Sequence, residues 1–233
     1  MTAFSGGQIA HRVGTRFPAR KVSDCQIYRL PSDSHMSKIH DAIRKWMFEG
    51  ADVAEKEIRQ LAAASPELLN KPDDNGEPPV FLACAMMRDE PLRLLVELGA
   101  DVNARNGADW PLFLVAAANV SRDVLALLVE KGADPLVVAD DGQTALHRAM
   151  LNERTAIGNA EFLLEKGADI NARDQMGWNA LDKAALDNLV EATKFLLSKG
   201  AEANHVDGRG MTAQQVAKER GYDEVVALLA AAG

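Results

Sequence analysis

A three-residue run recurs along this chain at nearly even steps. Gly99-Ala100-Asp101, Gly132-Ala133-Asp134, Gly167-Ala168-Asp169 and Gly200-Ala201-Glu202 have their glycines 33, 35 and 33 residues apart. A period of this length means stacked supersecondary units, each too small to bury its own apolar face, so that stability comes from contacts between neighbours. The 233 residues are therefore expected to form a linear pile rather than to wrap one central core. The fold class that follows is an all-α repeat solenoid.

The unit reads most clearly in its fourth copy. Asp174-Gln175-Met176-Gly177-Trp178 is a turn in which Gly177 supplies a positive φ. A short helix from Ala180 to Leu186 follows, and after Asp187-Asn188 a longer helix from Val190 to Lys199, with Phe195, Leu196 and Leu197 inward. Gly200 closes that helix as its left-handed terminal residue. The other copies place turns at Asp73–Glu77, Arg105–Asp109, Asp140–Gln143 and Asp207–Met211, and first-helix starts at Pro79, Pro111, Ala145 and Ala213. Both prolines suit the first helical position, where a missing N–H costs nothing. The third unit carries about two extra residues near Asn152–Ile157, which predicts a bulged loop between its helices.

Upstream, Ile39, Ala42, Ile43, Trp46 and Met47 recur at helical spacing behind Ser37, a good N-cap, and a second amphipathic run with Ile58, Leu61 and Ala62 stops before Ser65-Pro66. The domain reading is a basic, flexible N-terminal arm over 1–36 and a repeat domain over 37–233. Within the latter, 37–70 form an N-terminal capping hairpin, 71–210 the repeats and 211–233 a C-terminal capping repeat. Lys38, Asp41, Arg44 and Lys45 should face water on the first cap, and the small residues Ala230-Ala231-Ala232-Gly233 close the last.

Thr144-Ala145-Leu146-His147, the turn at Asp141-Gly142 and Gly-Ala-Asp-Ile-Asn-Ala at 167–172 resemble the ankyrin repeat, and the resemblance runs over about residues 38–233. It implies short β-hairpin fingers, antiparallel helix pairs and a concave face made by the fingers and first helices. His147 alone keeps the family's histidine, against Phe81, Phe113, Asp182 and Gln215; Thr144 and Thr212 keep its threonine, against Pro78, Trp110 and Asn179. With those polar ties missing, the stack is expected to lean on apolar packing, at about 1 kcal/mol per lost bond.

Charge is unevenly placed. The formal net charge is −8, but residues 1–36 carry +3 and the remainder −11. So acidic a body repels a phosphate backbone, so no nucleic-acid partner is expected. Residues 1–23 lack acids, as transit peptides do, though a disordered basic tail accounts for the same composition. Cys25 and Cys84 make no disulfide framework or metal spacing, no apolar run approaches 18 residues and no secretory signal is visible, which together read as a cytoplasmic chain. Export as an effector or delivery to an organelle is the alternative.

Catalytic chemistry finds little purchase. His11, His35, His40, His147 and His205 show no metal-ligand spacing, Gly208-Arg209-Gly210 lacks a dinucleotide loop's third glycine, and no nucleophile elbow or phosphate loop occurs. No cofactor, metal or catalytic residue is assigned and the chain reads as a non-enzyme. The candidate partner-binding residues, placed by resemblance on the fingers and first-helix ends, are Asp74, Glu77, Met86, Asp109, Trp110, Asp140, Asp141, Gln143, Gln175, Met176, Trp178, Arg209 and Met211. Acidic tips with exposed Met and Trp suit a protein or peptide partner with a basic rim and an apolar centre. Two plainer explanations stand beside this: Asp and Asn favour turns, and Trp178 packs on the neighbouring finger. The leading reading is a protein-interaction module, monomeric alone, working as an inhibitor of immunity type, an effector or an adaptor. The alternative is a regulatory or targeting subunit that docks through its basic arm.

Overall fold

The computed structural model describes residues 38–233; the expected arm and the Ser37 cap lie outside them. Among the described residues twelve α-helices follow one another in pairs: α1 (Lys38–Phe48) and α2 (Ala51–Ala64), α3 (Pro79–Ala85) and α4 (Asp89–Glu97), α5 (Leu112–Asn119) and α6 (Arg122–Glu130), α7 (Ala145–Ala149) and α8 (Glu153–Glu165), α9 (Ala180–Leu186) and α10 (Val190–Ser198), α11 (Ala213–Arg220) and α12 (Asp223–Ala232). A 3-10 turn, Pro66–Leu69, follows α2. Pairs α3/α4 to α11/α12 are repeats 1 to 5, each preceded by its finger loop. First helices stack in the order α1, α3, α5, α7, α9, α11, and second helices in the order α4, α6, α8, α10, α12. The chain is an all-helical repeat solenoid.

Two ladders of identical residues explain the stacking. Ala83, Ala116, Ala149, Ala184 and Ala217 occupy one place on the five first helices, all fully buried; a methyl there lets short helices approach closely. Leu95, Leu128, Leu163, Leu196 and Leu229 occupy one place on the second helices, none more than 2% exposed. Each buried leucine is worth about 2 kcal/mol, gained only when a neighbour covers it. In α10 this leucine is the buried one, while Phe195 and Leu197 flank it half-buried.

Each finger is a five-residue turn closed by the same pair of bonds. The first residue's N–H donates to the fifth residue's carbonyl (Asp73 to Glu77, Asn106 to Trp110, Ala139 to Gln143, Asp174 to Trp178, Asp207 to Met211), at 2.9 to 3.1 Å, and the fourth residue's N–H donates back to the first carbonyl. Except at Ala139, the first side chain accepts from the third and fifth backbone N–H groups. Among the described residues the hairpin pairing reduces to isolated bridges, Arg105 with Pro111 and Val138 with Thr144.

Three expectations are corrected. Repeat 2 was set one residue early: its finger is Asn106–Trp110, its helix begins at Leu112, and Pro111 stands at the N-cap. Asp109 takes the fourth place, at φ +61°, where the other fingers carry glycine, so the expected marker was missing and Gly107 was a decoy. Leu114, not Phe113, and Pro111, not Trp110, therefore stand opposite His147 and Thr144. The third finger starts at Ala139, one residue before the expected Asp140. Lastly, the extra residues of repeat 3 do not bulge a loop but extend α8 to 13 residues against 9 in α4, α6 and α10, with the Asn152 side chain capping it through the Arg154 N–H.

The long α8 reaches further than its neighbours. The fully buried Asn159 side chain donates to the carbonyls of Ala117 (3.0 Å) and Val120 (2.8 Å), satisfying the C-terminal end of α5. Arg154 donates to the carbonyl of Met87, two repeats away, at 3.2 Å. Ala117 and Ala118, at that end of α5, are buried. On the first hairpin Ile39, Ala42, Ile43 and Trp46 face inward, but Met47 is 49% and Phe48 72% exposed.

Candidate functional site

The fingers present a row of side chains whose order follows from the turn. Places two and three form the tip; place five turns back toward the first helix. Asp74, Asp109, Asp140, Gln175, Met176 and Arg209 are exposed, while Glu77, Met86, Trp110, Asp141, Gln143, Trp178 and Met211 are half-buried. The structure thus strings the candidate residues along consecutive fingers, with Met86 apart from them just beyond the end of α3.

Trp178 is held at the base of its finger rather than left free. Its indole N–H donates to Asp207 Oδ2 of the next finger at 2.8 Å. Lys183 Nζ lies 4.2 Å and the Arg209 guanidinium 5.2 Å from its ring centroid, cation–π distances at which a partly desolvated pair gains about 1 kcal/mol. Lys183 also pairs with the buried Asp174 at 3.1 Å. Asp207 draws in both Arg209 (2.7 Å) and the N–H groups of Arg209 and Met211. Burial works to raise the Asp207 pKa, but the bonds from Met211, Arg209 and Trp178 outweigh it and hold the carboxyl at about 2. Trp110 is covered differently, with the Arg148 guanidinium 5.1 Å from its ring centroid.

Behind the row, polar ties bind α1, α7 and α9 to the repeat that follows each. His147 takes Thr144 on Nδ1 and donates from Nε2 to the Trp178 carbonyl at 2.7 Å. His40 makes the matching bond to the Glu77 carbonyl at 3.0 Å, so the first hairpin supplies a histidine the sequence reading had not aligned. Burial lowers the pKa of both, partly opposed by these backbone bonds. Asp182 is not a lost histidine: its carboxylate meets His205 of the next repeat at 2.8 Å, both side chains buried, and accepts from the Asn179 N–H in a capping box. Burial pushes the Asp182 pKa up. Gln215 closes the same box with Thr212. The expected reliance on apolar packing alone is therefore confined to Phe81 and Leu114. The His40–Glu77, His147–Trp178 and Asp182–His205 ties are not visible in a local reading of the sequence, because their partners lie in different repeats, 23 to 37 residues apart.

At the rim, burial and then the charge of Asp73 raise the Glu77 pKa. Cys84 is free and buried, and burial pushes its thiol far up, away from nucleophilic chemistry. Among the described residues no cluster of His, Cys, Asp and Glu has the arrangement to hold a metal ion, and no helix is long and apolar enough to cross a membrane.

Comparison with known proteins agrees with this architecture. Residues 112–207 match the family model for ankyrin repeats, in three copies. The chain is similar to neurogenic locus notch homolog protein 1 of Xenopus laevis, 32% identical over 146 residues that make up 62% of this chain and 6% of that protein. It is 34% identical over 127 residues to the Mus musculus protein of the same name, covering 54% and 5%, and 29% identical over 133 residues to the E3 ubiquitin-protein ligase KEG of Arabidopsis thaliana, covering 56% and 8%. The matched stretch is thus less than a tenth of the length of each of these relatives.

Proposed function

Because this chain is an ankyrin-repeat protein, a family of protein-interaction modules, we propose that its finger row receives a partner protein with a basic rim and an apolar centre. The observation that carries this reading is the exposure of Asp74, Asp109 and Asp140 along fingers that also hold Met176, 46% exposed. Asp74 and Asp140, with Asp109 beside its own Arg105, favour cationic side chains and speed their approach, while a flexible thioether fills whatever apolar contour follows. Trp178 and Trp110 contribute as rigid walls beneath the contact rather than as free anchors. An interface of ordinary size buries about 800 Å² per partner. The action is steric: what the module covers on its partner is withheld from others, which makes it an inhibitor or adaptor and not a catalyst.

The test is capture from the source cell followed by mass spectrometry, with three baits: the intact chain, the chain lacking residues 1–36, and a variant with Asp74→Asn, Asp140→Asn and Met176→Ala. The first two baits are expected to retain the same protein and the third to lose it at least tenfold, about 1.4 kcal/mol. Retention by the finger variant removes the row from the interface. Loss on deleting 1–36 moves the contact to the arm.

A further inference from the structure

Neighbouring fingers touch through places four and two, and the contact works because at least one of them lacks a side chain. Gly76 meets Gly107, where an added Cβ on Gly107 would stand 2.3 Å from the Asn75 carbonyl oxygen. Gly142 lies against Asp174 and Gln175, and Gly177 against Gly208, where a Cβ would come within 3.1 Å and 2.9 Å of backbone atoms. Backbone bonds then cross two of these junctions: Gln175 N–H to the Asp141 carbonyl at 2.8 Å, and Gly208 N–H to the Met176 carbonyl at 2.7 Å. Gln175 Nε2 adds a bond to the Asp140 carbonyl at 2.6 Å.

Between fingers 2 and 3 the two places are Asp109 and Asp140. Neither lacks a Cβ, and both carry a carboxylate. Among the described residues no backbone hydrogen bond joins these two fingers, as none joins fingers 1 and 2, but there the backbones of Gly76 and Gly107 still meet. A cleft of about 120 Å³ stands there instead, lined by Ala108, Asp109, Trp110, Ala139, Asp140 and Asp141. A second, of about 210 Å³, lies along the same pair of repeats between Val102, Arg105, Phe113 and Val137. Trp110, on one wall of the first cleft, has the Arg148 guanidinium 5.1 Å from its ring centroid.

The opposite edge of the same junction is fastened. Asn159 caps α5, Arg122 pairs with Glu161 and Glu165 at 3.0 and 2.8 Å, and Arg154 reaches back to Met87. One edge is bonded; at the other, neither facing place is a glycine and a cleft lies between the fingers. We infer that the stack has a hinge at this junction: repeats 1 and 2 swing against repeats 3 to 5 about the α8 edge, opening and closing the cleft between fingers 2 and 3. The other finger junctions move as one body, because their glycines let backbone meet backbone.

Pairs of spin labels at one register read this directly. Pro72, Val138 and Val206 occupy equivalent, exposed places two repeats apart. The pair at 72 and 138 spans the proposed hinge; the pair at 138 and 206 does not. With Cys25 changed to Ser and the buried Cys84 left in place, the distance distribution is expected to be about twofold broader for the first pair than for the second. Asp109→Gly restores the missing glycine and should narrow the first distribution to the width of the second. Asp109→Asn, which removes the charge but keeps the Cβ and tolerates a positive φ, should leave it broad. Equal widths in the unmodified chain, an unchanged width in Asp109→Gly, or narrowing in Asp109→Asn would each overturn the proposal.

Discussion

Between fingers 4 and 5 the chain sets Gly177 against Gly208; between fingers 2 and 3 the same places hold Asp109 and Asp140. The first junction is closed by a backbone bond, an indole N–H on Asp207, a buried Asp182–His205 pair and an Arg173–Glu202 ion pair at 2.9 Å. The second keeps its helix edge bonded and a cleft between its fingers. Identical topology thus yields a rigid and a yielding junction, and the difference rests on whether two Cβ atoms are present where backbones would meet. In a repeat stack stability is a sum of neighbour terms, so a weak junction stays local.

The largest expected effect comes from breaking the rigid junction. Asp207→Ala strips the acceptor from Trp178, Arg209 and two finger N–H groups, and should lower unfolding stability by about 3 kcal/mol in a urea titration. The same carboxylate predicts an acid limit. Its pKa is about 2 in the folded chain against an ordinary 3.8; its stabilisation is complete above the ordinary value and is lost as pH falls from about 4 toward 2. A urea midpoint that is flat across that window in the intact chain contradicts this account.

Next in size is His147→Asn, which leaves the Trp178 carbonyl without its bond and should cost about 2 kcal/mol. His40 and His147 are held neutral by burial, with folded pKa values below the ordinary 6.5. The unfolded chain therefore takes up protons first, and stability should decline as pH falls below about 6.5. Urea midpoints at pH 7.5 and pH 5.5 give that slope, and it should be shallower in the His147→Asn variant.

The smallest effects sharpen the contrast itself. Gly208→Ala inserts a Cβ within 2.9 Å of the Met176 carbonyl oxygen and should cost about 1 to 2 kcal/mol. Asp109→Gly does the reverse at the yielding junction. It also relieves a non-glycine residue at positive φ, for an expected gain of about 1 kcal/mol. Thermal melts of the two variants should shift in opposite directions; a loss of stability in Asp109→Gly would show that the Arg105–Asp109 pair, 3.2 Å apart, outweighs the strain.

The helix pairs, the glycine helix ends and the kept threonines Thr144 and Thr212 were legible in the sequence because each depends on residues within about four positions of one another, and the period because one short motif recurs; the Asn179 cap was not. The register of repeat 2 was misread for the same reason: its local marker, a glycine at place four, had been replaced by Asp109. The extended α8, the Asp182–His205 pair, the holding of Trp178 by Asp207 and the Asp109–Asp140 confrontation were decided only by the tertiary structure. They join residues roughly one repeat apart, and which side chains face each other across such a gap is settled when the ladders of buried alanine and leucine bring neighbouring units to their packing distance.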